Sequence, residues 1–299
     1  MKYKVGLPIF TEVEIGSYCN RICKWCPNGW NERGRKREYI REEIWEMILN
    51  ELNNVNYQGW FAFHNYNEPL ADDSIFSKIS QAREVLNQAK LTLFTNGDYL
   101  NKAVLHKLID LGVNQIRINL YPDDDTLSSG NPEQRIFSFF NKLGLEKTNK
   151  AIFKGVHLQA FHHVKSTQLH FIVPNVALYH YRGGAVPLKE LALRKPRSLP
   201  CFLPFRSAAI DYHGNLKLCC EIYDASLPKN RDYIIGNVIE QGFLNLWFSD
   251  KMNSFRKRVE VANFDGLDAC TFCKYVLSED QLNELDQGKS HKTANTHPG

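Results

Sequence analysis

Between residues 11 and 173 the chain alternates short apolar runs with longer segments whose apolar residues recur at helical spacing. The segment REEIWEMILNEL (41–52) places apolar residues three and four positions apart, which is typical of a helix that packs through one face. The runs WFAFHNY (60–66) and LTLFT (91–95) are shorter and rich in aromatic and apolar residues, as strands are. This alternation predicts a parallel sheet with helices outside it.

The same patterns define the other elements of this region. We predict further strands at 11–17, 114–121, 156–163 and 169–173, and further helices at 74–89, 99–112 and 132–145. Parallel sheets carry their chemistry beyond the carboxyl ends of the strands, so residues that follow a strand are the first candidates for a site.

The pattern changes after about residue 174, where prolines interrupt an irregular connection. The segment AAIDYHGNLKLCC (208–220) predicts a hairpin, and 237–260 predicts a helix. We therefore expect one domain at 11–175 and a smaller one at 176–277. Residues 278–299 form a C-terminal tail, in which a short helix at 277–288 precedes a polar, disordered end.

Composition narrows the classes of protein. The chain has 299 residues, 43% of them hydrophobic, and a formal net charge of only +4, which does not favour nucleic acid or a membrane surface as a partner. It has neither an apolar run of membrane-spanning length nor a signal-peptide core, so we expect a cytoplasmic protein. In that compartment its eight cysteines are expected to bind metal rather than to form disulfides.

Three of these cysteines, Cys19, Cys23 and Cys26, follow the first predicted strand with the spacing C-x3-C-x2-C. Three thiolates this close can bind three corners of an iron–sulfur cube and leave the fourth iron open to another ligand. A zinc site and three structural cysteines are the alternative interpretations.

This loop resembles the cluster loop of the radical S-adenosylmethionine (SAM) enzymes. The resemblance implies a partial (β/α)6 barrel and a [4Fe–4S] cluster whose open iron binds SAM. It also implies that the reduced cluster releases a 5′-deoxyadenosyl radical, with flavodoxin or ferredoxin as the electron donor. In this family the aromatic residue before the third cysteine, here Trp25, stacks on adenine; packing of a loop residue is the alternative.

Polar residues follow the next three predicted strands. Asn67-Glu68-Pro69 resembles the motif that holds the amino group of SAM in this family, although Tyr66-Asn67 stands where two glycines are usual. Asn96 and Asn119 occupy comparable strand ends and are expected to contact SAM. An asparagine at a strand end is more often a turn former, so the prediction depends on the three positions together.

The second group of cysteines resembles the auxiliary-cluster extension called the SPASM or twitch domain. Its predicted ligands are Cys201, Cys219, Cys270 and Cys273, and four thiolates complete one auxiliary [4Fe–4S] cluster without an open iron. A structural zinc ion with four cysteine ligands is the alternative.

Cys220 is adjacent to one of these ligands. Neighbouring residues in a strand point to opposite faces, and Leu216 and Leu218 share the face of Cys220, so we assign Cys219 to the cluster. Cys220 is then a small buried apolar residue or a thiol that returns a hydrogen atom to a substrate radical, as in some epimerases of this type.

The basic run Arg33-Gly-Arg-Lys-Arg37 is surrounded by glutamates and is predicted to be a solvated loop, with docking of an acidic reductant as a weaker alternative.

The layout is similar to that of small radical SAM dehydrogenases and epimerases of sugars and aminocyclitols. It implies hydrogen abstraction from a small-molecule substrate, followed by oxidation or epimerisation. The alternatives are a peptide-modifying enzyme and, from a different class, a non-catalytic iron–sulfur or zinc protein. Only 18 residues precede Cys19, too few for the leader-binding domain of many peptide-modifying relatives, which favours the small substrate.

Overall fold

The computed structural model describes residues 4–122, 131–146, 151–154, 157–176 and 179–275, so the predicted helix at 277–288 and the tail at 278–299 lie outside the described residues. Within these ranges, ten strands form one sheet in the order β10-β9-β8-β1-β2-β3-β4-β7-β6-β5. They are β1 (Phe10–Val13), β2 (Trp60–Ala62), β3 (Lys90–Thr95), β4 (Gln115–Asn119), β5 (Ala151–Lys154), β6 (His157–Val164), β7 (Thr167–Pro174), β8 (Ser207–Ile210), β9 (Asn215–Lys217) and β10 (Ile234–Asn237).

The helices pack outside this sheet through apolar faces. In the described residues they are α1 (Glu42–Asn54), α2 (Ile75–Val85), α3 (Lys102–Asp110), α4 (Pro132–Leu143), α5 (Leu203–Arg206), α6 (Val238–Gln241), α7 (Phe243–Trp247), α8 (Asp250–Glu260) and α9 (Asp268–Thr271). None of them is long and apolar enough to cross a membrane.

Local sequence explains where these helices begin and end. The α1 helix begins with two glutamates, whose charge suits the positive end of the helix dipole, and it buries Ile44, Trp45, Ile48, Leu49 and Leu52. The α4 helix begins at Pro132, is capped by the Asn131 side chain, and ends at Gly144 with a left-handed φ of 68°.

Six strands, β8-β1-β2-β3-β4-β7, pair in parallel and form the open, barrel-like part of the sheet. Every residue of β1 and of β4 is buried, as expected for strands that are covered on both sides. The predicted fold class, a partial α/β barrel followed by a hairpin and helices, is confirmed.

One predicted strand takes a different role. The strand predicted at 156–163 corresponds to β6, which pairs antiparallel with β7 rather than in parallel. Only Lys165 and Ser166 separate the two strands, with Lys165 at a φ of 52°. A parallel pairing needs a crossover of a dozen or more residues, so this connection permits only a hairpin.

The sixth parallel strand comes instead from the predicted second domain. β8 pairs in parallel with β1, and the predicted hairpin continues from β8 into β9 through Gly214, which has a φ of 85°. Both predicted domains thus contribute to one sheet, and the boundary between 175 and 176 remains a prediction. β9 runs back antiparallel to β8, and hydrogen bonds from Asn65 Nδ2 and the Tyr66 hydroxyl to the Cys220 carbonyl bring the segment after β9 to the loop that follows β2.

Glu51 of α1 links this barrel helix to the C-terminal part of the chain. Its two carboxylate oxygens accept the first N–H groups of α7, from Phe243 at 3.0 Å and from Leu244 at 2.8 Å. We expect Glu51→Ala to lower the free energy of unfolding by about 1–2 kcal/mol, measured by urea denaturation, because these donors lose their acceptor. Glu46→Ala, an exposed position on the same helix, is the control and should change it by less than about 0.5 kcal/mol. Equal effects of the two substitutions would contradict the contact.

Candidate active site

The three-cysteine loop folds tightly after β1. Cys26 N donates to the Cys23 carbonyl at 3.0 Å, and Cys19 N donates to the Gly34 carbonyl at 3.0 Å. A Cβ at Gly29 would lie 2.4 Å from the Cys23 carbonyl oxygen, so the loop requires glycine there. The side chains of Cys19, Cys23 and Cys26 line one cavity, an arrangement that suits three corners of a cluster.

Two thiols of this loop have pKa values above the ordinary value of cysteine. Burial, together with the Glu68 carboxylate, raises the pKa of Cys19 well above its ordinary value. Burial also raises the pKa of Cys26, although the Asn28 N–H and the charges of Arg182 and Arg33 act in the opposite direction. Binding to iron must therefore release these protons.

The residues predicted from the strand ends converge on the same cavity. Trp25, Asn67, Glu68, Asn96 and Asn119 all line it together with the three cysteines. Pro69, the remaining predicted residue, begins a short 3-10 helix (Pro69–Ala71). The prediction that these positions act together is thus compatible with their placement, and the contact of each with SAM stays a prediction.

Glu68 is held rigidly at the end of the loop after β2. Its carboxylate accepts the Thr95 hydroxyl at 2.6 Å, Asn96 N at 2.7 Å and Leu70 N at 3.1 Å. Burial raises the pKa of Glu68 to about 7, although these hydrogen bonds act to lower it. A buried carboxylate fixed by three donors suits an ammonium group that enters the cavity.

The other predicted ligands gather at a second place. The thiols of Cys201, Cys219, Cys270 and Cys273 are each at least partly buried. Burial is the largest cause that raises the pKa of Cys219, and the charges of Cys270 and Cys201 come next. The charge of Cys201 also raises the pKa of Cys270 and of Cys273. Four thiols that interact in this way can hold one auxiliary cluster.

The described residues include no three His, Cys, Asp or Glu side chains arranged to hold a single metal ion. Ligands of a four-iron cluster bind separate irons and so are spread more widely than those around one zinc ion. The placement of the four C-terminal thiols is therefore compatible with a cluster.

Cys220 points to the first cavity, not to the second group. It is 8% exposed and lines the cavity with Glu12, Arg182 and Glu221. Burial, followed by the carboxylates of Glu12 and Glu221, raises the pKa of its thiol well above the ordinary value, so it keeps its hydrogen. β9 ends at Lys217, so strand alternation does not govern the orientation of the two adjacent cysteines.

Arg182 and Glu221 form an ion pair at the wall of the cavity, and the sequence patterns did not indicate either residue. The distance from Arg182 Nη1 to Glu221 Oε1 is 2.7 Å, and both side chains are largely buried. Glu221 Oε2 is buried without a hydrogen-bond partner in the described residues, which leaves one acceptor available within this wall. Arg182 lies in the irregular connection at a φ of 51°, where no periodicity marks a functional residue.

The sequence analysis also did not identify Glu12 as a site residue, although its position near the end of β1 could have indicated it. Its side chain lines the cavity, and Glu12 Oε2 accepts Asn65 Nδ2 at 2.7 Å. Arg117 of β4 lines the same cavity, which is surrounded by three carboxylates and three guanidinium groups, from Glu12, Glu68, Glu221, Arg21, Arg117 and Arg182.

The prediction of a solvated loop at 33–37 is wrong for Arg33. Arg33 is 7% exposed and pairs with Glu14 and with Asp224, the latter at 2.7 Å. Burial by itself would lower the pKa of Arg33, but these carboxylates raise it and keep the guanidinium charged. The sequence pattern shows only the exposed glutamates near Arg33, because its two buried partners are distant in sequence.

Arg33 thereby ties the cysteine loop to the segment after Cys220. Tyr223 strengthens this connection, since its hydroxyl donates to Asn28 Oδ1 at 2.8 Å while Asn28 Nδ2 donates to the Tyr66 carbonyl at 2.7 Å. The loop after β2, the cysteine loop and the segment after Cys220 therefore share one buried polar network.

Comparisons with known proteins agree with this geometry. A model of the radical SAM superfamily matches residues 13–143, and a model of the SPASM iron–sulfur cluster-binding domain matches residues 201–274. The chain is 25% identical over 265 residues to the S-adenosyl-L-methionine-dependent 2-deoxy-scyllo-inosamine dehydrogenase of Niallia circulans, over 89% of this chain and 92% of that protein.

Two solved structures share the fold. BtrN in complex with AdoMet and 2-DOIA is 22% identical with a TM-score of 0.70, and BtrN in an open conformation is 21% identical with a TM-score of 0.63. Each match covers 93% of this chain and 98% of the other.

The chain therefore carries a radical SAM domain and a C-terminal SPASM-type domain, and it is an enzyme of the radical SAM type. These two domains confirm the predicted cofactors, namely SAM, a [4Fe–4S] cluster and an auxiliary iron–sulfur centre.

The ion pairs of Arg33 give a stability prediction. Arg33→Met leaves two buried carboxylates without their cation, and we expect the free energy of unfolding to fall by about 3–5 kcal/mol. The measurement is urea denaturation of the anaerobically reconstituted protein. Arg35→Met removes an exposed ion pair with Glu32 in the same loop and should cost about 1 kcal/mol or less.

Adding Asp224→Asn to Arg33→Met should recover part of the loss, because one of the unpaired carboxylates is then removed. Similar small losses for the Arg33 and Arg35 variants would show that the buried network does not stabilise the loop.

Proposed function

We propose that this enzyme is a radical SAM dehydrogenase that oxidises a hydroxyl group of a small aminocyclitol or amino sugar. The observation that carries the proposal is the single cavity that extends from the three-cysteine loop to the Arg182–Glu221 pair. Glu221 also acts on the thiols of Cys219 and Cys273, so this pair stands between the cavity and the auxiliary cysteines.

Each cofactor has a set of residues that would hold it. Cys19, Cys23 and Cys26 would bind the first cluster, with Glu68 on the SAM amino group and Trp25 on adenine. Asn67, Asn96 and Asn119 complete the polar lining of the SAM side, and Cys201, Cys219, Cys270 and Cys273 would bind the auxiliary cluster. When bound, these groups supply a hydrogen-atom acceptor, the 5′-deoxyadenosyl radical, and a one-electron acceptor, the auxiliary cluster.

The charged groups of the cavity suit a substrate that carries both an ammonium and hydroxyl groups. Glu12, oriented by Asn65, is placed to accept an ammonium group. Glu221 Oε2 is placed to accept a hydroxyl hydrogen, because its other oxygen is already held by Arg182. The cavity is lined by large side chains such as Trp25 and Tyr179 and must also hold SAM, which favours a small molecule over a peptide.

Oxidation of the alcohol to a ketone removes a hydrogen atom from the carbon, a proton from the hydroxyl and one electron. In this proposal Glu221 Oε2 takes the proton as the carbonyl forms. The Arg182 guanidinium beside it stabilises negative charge on the substrate oxygen before the electron leaves. The described relative is named for an oxidation of this kind, which supports the choice of reaction.

A second outcome, epimerisation, is favoured by one observation. Cys220 lies in the wall of the same cavity with its thiol protonated, where it is placed to return a hydrogen atom to a substrate carbon. The dehydrogenase remains our principal proposal because the Arg182–Glu221 pair supplies the proton acceptor that oxidation requires.

Turnover assays distinguish these proposals. The anaerobically reconstituted enzyme is incubated with SAM, dithionite or reduced flavodoxin, and a set of aminocyclitols and amino sugars that includes 2-deoxy-scyllo-inosamine. We expect 5′-deoxyadenosine and a ketone product in a ratio of about one to one, measured by mass spectrometry. Release of 5′-deoxyadenosine only with peptides would contradict the small-molecule proposal.

Cys220→Ala separates oxidation from epimerisation in the same assay. A dehydrogenase should keep its ketone product in this variant. An epimerase should instead lose its product, which has the mass of the substrate, while 5′-deoxyadenosine continues to form.

Two carboxylates in the cavity are expected to have separate roles. Glu68→Gln should raise the Kd of SAM by about tenfold, because a charge-assisted contact with the ammonium group is lost. Glu221→Gln should leave that Kd unchanged and lower kcat/KM for the substrate by about 100-fold or more, because the proton acceptor is removed. Equilibrium dialysis and steady-state rates measure the two effects.

An S-adenosyl ligand that lacks the amino group is the control for Glu68. It should bind wild type and Glu68→Gln equally, since the contact with the ammonium is absent in both. The proposed assignment fails if Glu68→Gln weakens this ligand as much as it weakens SAM.

A further inference from the structure

Arg197 is a buried cation beside the auxiliary cysteines that the proposed reaction has not yet used. It lies in the irregular segment four residues before Cys201 and is 8% exposed. Arginine is seldom buried to this extent unless its donors are satisfied, so its partners indicate its role.

The guanidinium holds together the two segments that carry three of the four auxiliary cysteines. It donates to the carbonyls of Leu199 at 2.7 Å and Pro200 at 2.6 Å, directly before Cys201. It also donates to the carbonyls of Cys273 at 3.4 Å and of Tyr275. The backbone adds a contact, since Arg197 N donates to the Thr271 carbonyl at 2.7 Å.

These partners are neutral, so the charge of Arg197 is not cancelled by an ion pair with any described carboxylate. The same hydrogen bonds place this charge beside the cysteines, because the guanidinium reaches the Cys273 carbonyl and the two carbonyls that directly precede Cys201.

A cation fixed near an iron–sulfur cluster stabilises the reduced state more than the oxidised state, because reduction adds one negative charge. Charge and hydrogen bonding around a cluster are among the factors that set its reduction potential. A higher potential favours acceptance of an electron from the substrate.

We propose that Arg197 is a positioning residue that aligns the auxiliary cysteines through their neighbouring carbonyls and raises the reduction potential of the cluster they bind. The proposal rests on the proposed function, in which this cluster accepts the electron released by the substrate. It assigns to one side chain both the retention of the cluster and the tuning of its potential.

Two substitutions separate these roles. Arg197→Lys keeps the charge but cannot reach four carbonyls with its single ammonium, whereas Arg197→Gln removes the charge and keeps an amide donor. Arg194→Gln is the matched control, since it removes an exposed positive charge three residues earlier.

The experiment uses the full-length reconstituted protein without substrate. Iron and zinc are measured per chain, and the potentials of the clusters are obtained by redox titration followed by electron paramagnetic resonance. The signal that changes on addition of SAM identifies the cluster with the open iron, and the other signal belongs to the auxiliary cluster.

Wild type should hold about eight irons per chain and no zinc, as two four-iron clusters require. We expect Arg197→Gln to shift the auxiliary potential downward and leave the other potential unchanged. Arg197→Lys should keep the wild-type auxiliary potential but lose auxiliary iron faster during gel filtration. Arg194→Gln should match wild type in both measurements.

An unchanged auxiliary potential in an Arg197→Gln protein that retains its iron would overturn the proposal. If Arg197→Gln loses the auxiliary iron, retention of that iron by Arg197→Lys at the wild-type potential still supports the role of the charge. Loss in both variants would make Arg197 only a structural clamp and overturn the proposed effect on potential.

These outcomes are independent of the substrate. About four irons and one zinc in wild type would overturn the auxiliary-cluster assignment itself. A shift in potential without turnover of any aminocyclitol would support the role of Arg197 while contradicting the proposed function.

Discussion

The parallel pairing of β8 with β1 is the constraint on which the arrangement of the site depends. β1 leads directly into the loop with Cys19, and β8 leads through the β9 hairpin to Cys219 and Cys220. β9 turns back antiparallel to β8, and the Cys220 carbonyl then accepts hydrogen bonds from Asn65 Nδ2 at 3.3 Å and from the Tyr66 hydroxyl at 2.9 Å, in the loop that follows β2 at the edge where β1 also ends. Cysteines that are about two hundred residues apart in sequence therefore lie on either side of one cavity.

Buried charges hold this edge together in a way that apolar packing alone does not. Arg33 joins Glu14 to Asp224, which lie 210 residues apart in sequence, and Arg182 pairs with Glu221 within the wall of the cavity. Such groups are costly to bury unless they are paired in a defined geometry, so alternative arrangements of the loops are strongly disfavoured. The network thus gives the cysteine loop one position relative to the groups that face a substrate.

The same edge separates two kinds of environment. The first cavity is lined by charged and polar side chains that suit SAM and a hydroxylated substrate, whereas the auxiliary cysteines are packed beside one buried guanidinium with neutral partners. Cys220 belongs to the first cavity, and Cys219, adjacent in sequence, belongs to the auxiliary group. The bend after β9 therefore joins the wall of the cavity to the auxiliary cysteines, which is the path that the proposed electron transfer would use.

The sequence by itself determined the features that depend on near neighbours. The spacing of Cys19, Cys23 and Cys26 defines an incomplete ligand set, and hydrophobic periodicity indicated the strands and helices of the barrel, because both are local patterns. Glu68, Asn96 and Asn119 could be placed together because the ends of parallel strands meet at one edge. Only the tertiary structure decided that β6 turns back as a hairpin, that β8 completes the row of parallel strands, that Arg33 and Arg197 are buried, and that Arg182 pairs with Glu221. These features depend on partners far apart in the chain, and a charged residue has the same local pattern whether it meets solvent or a distant carboxylate.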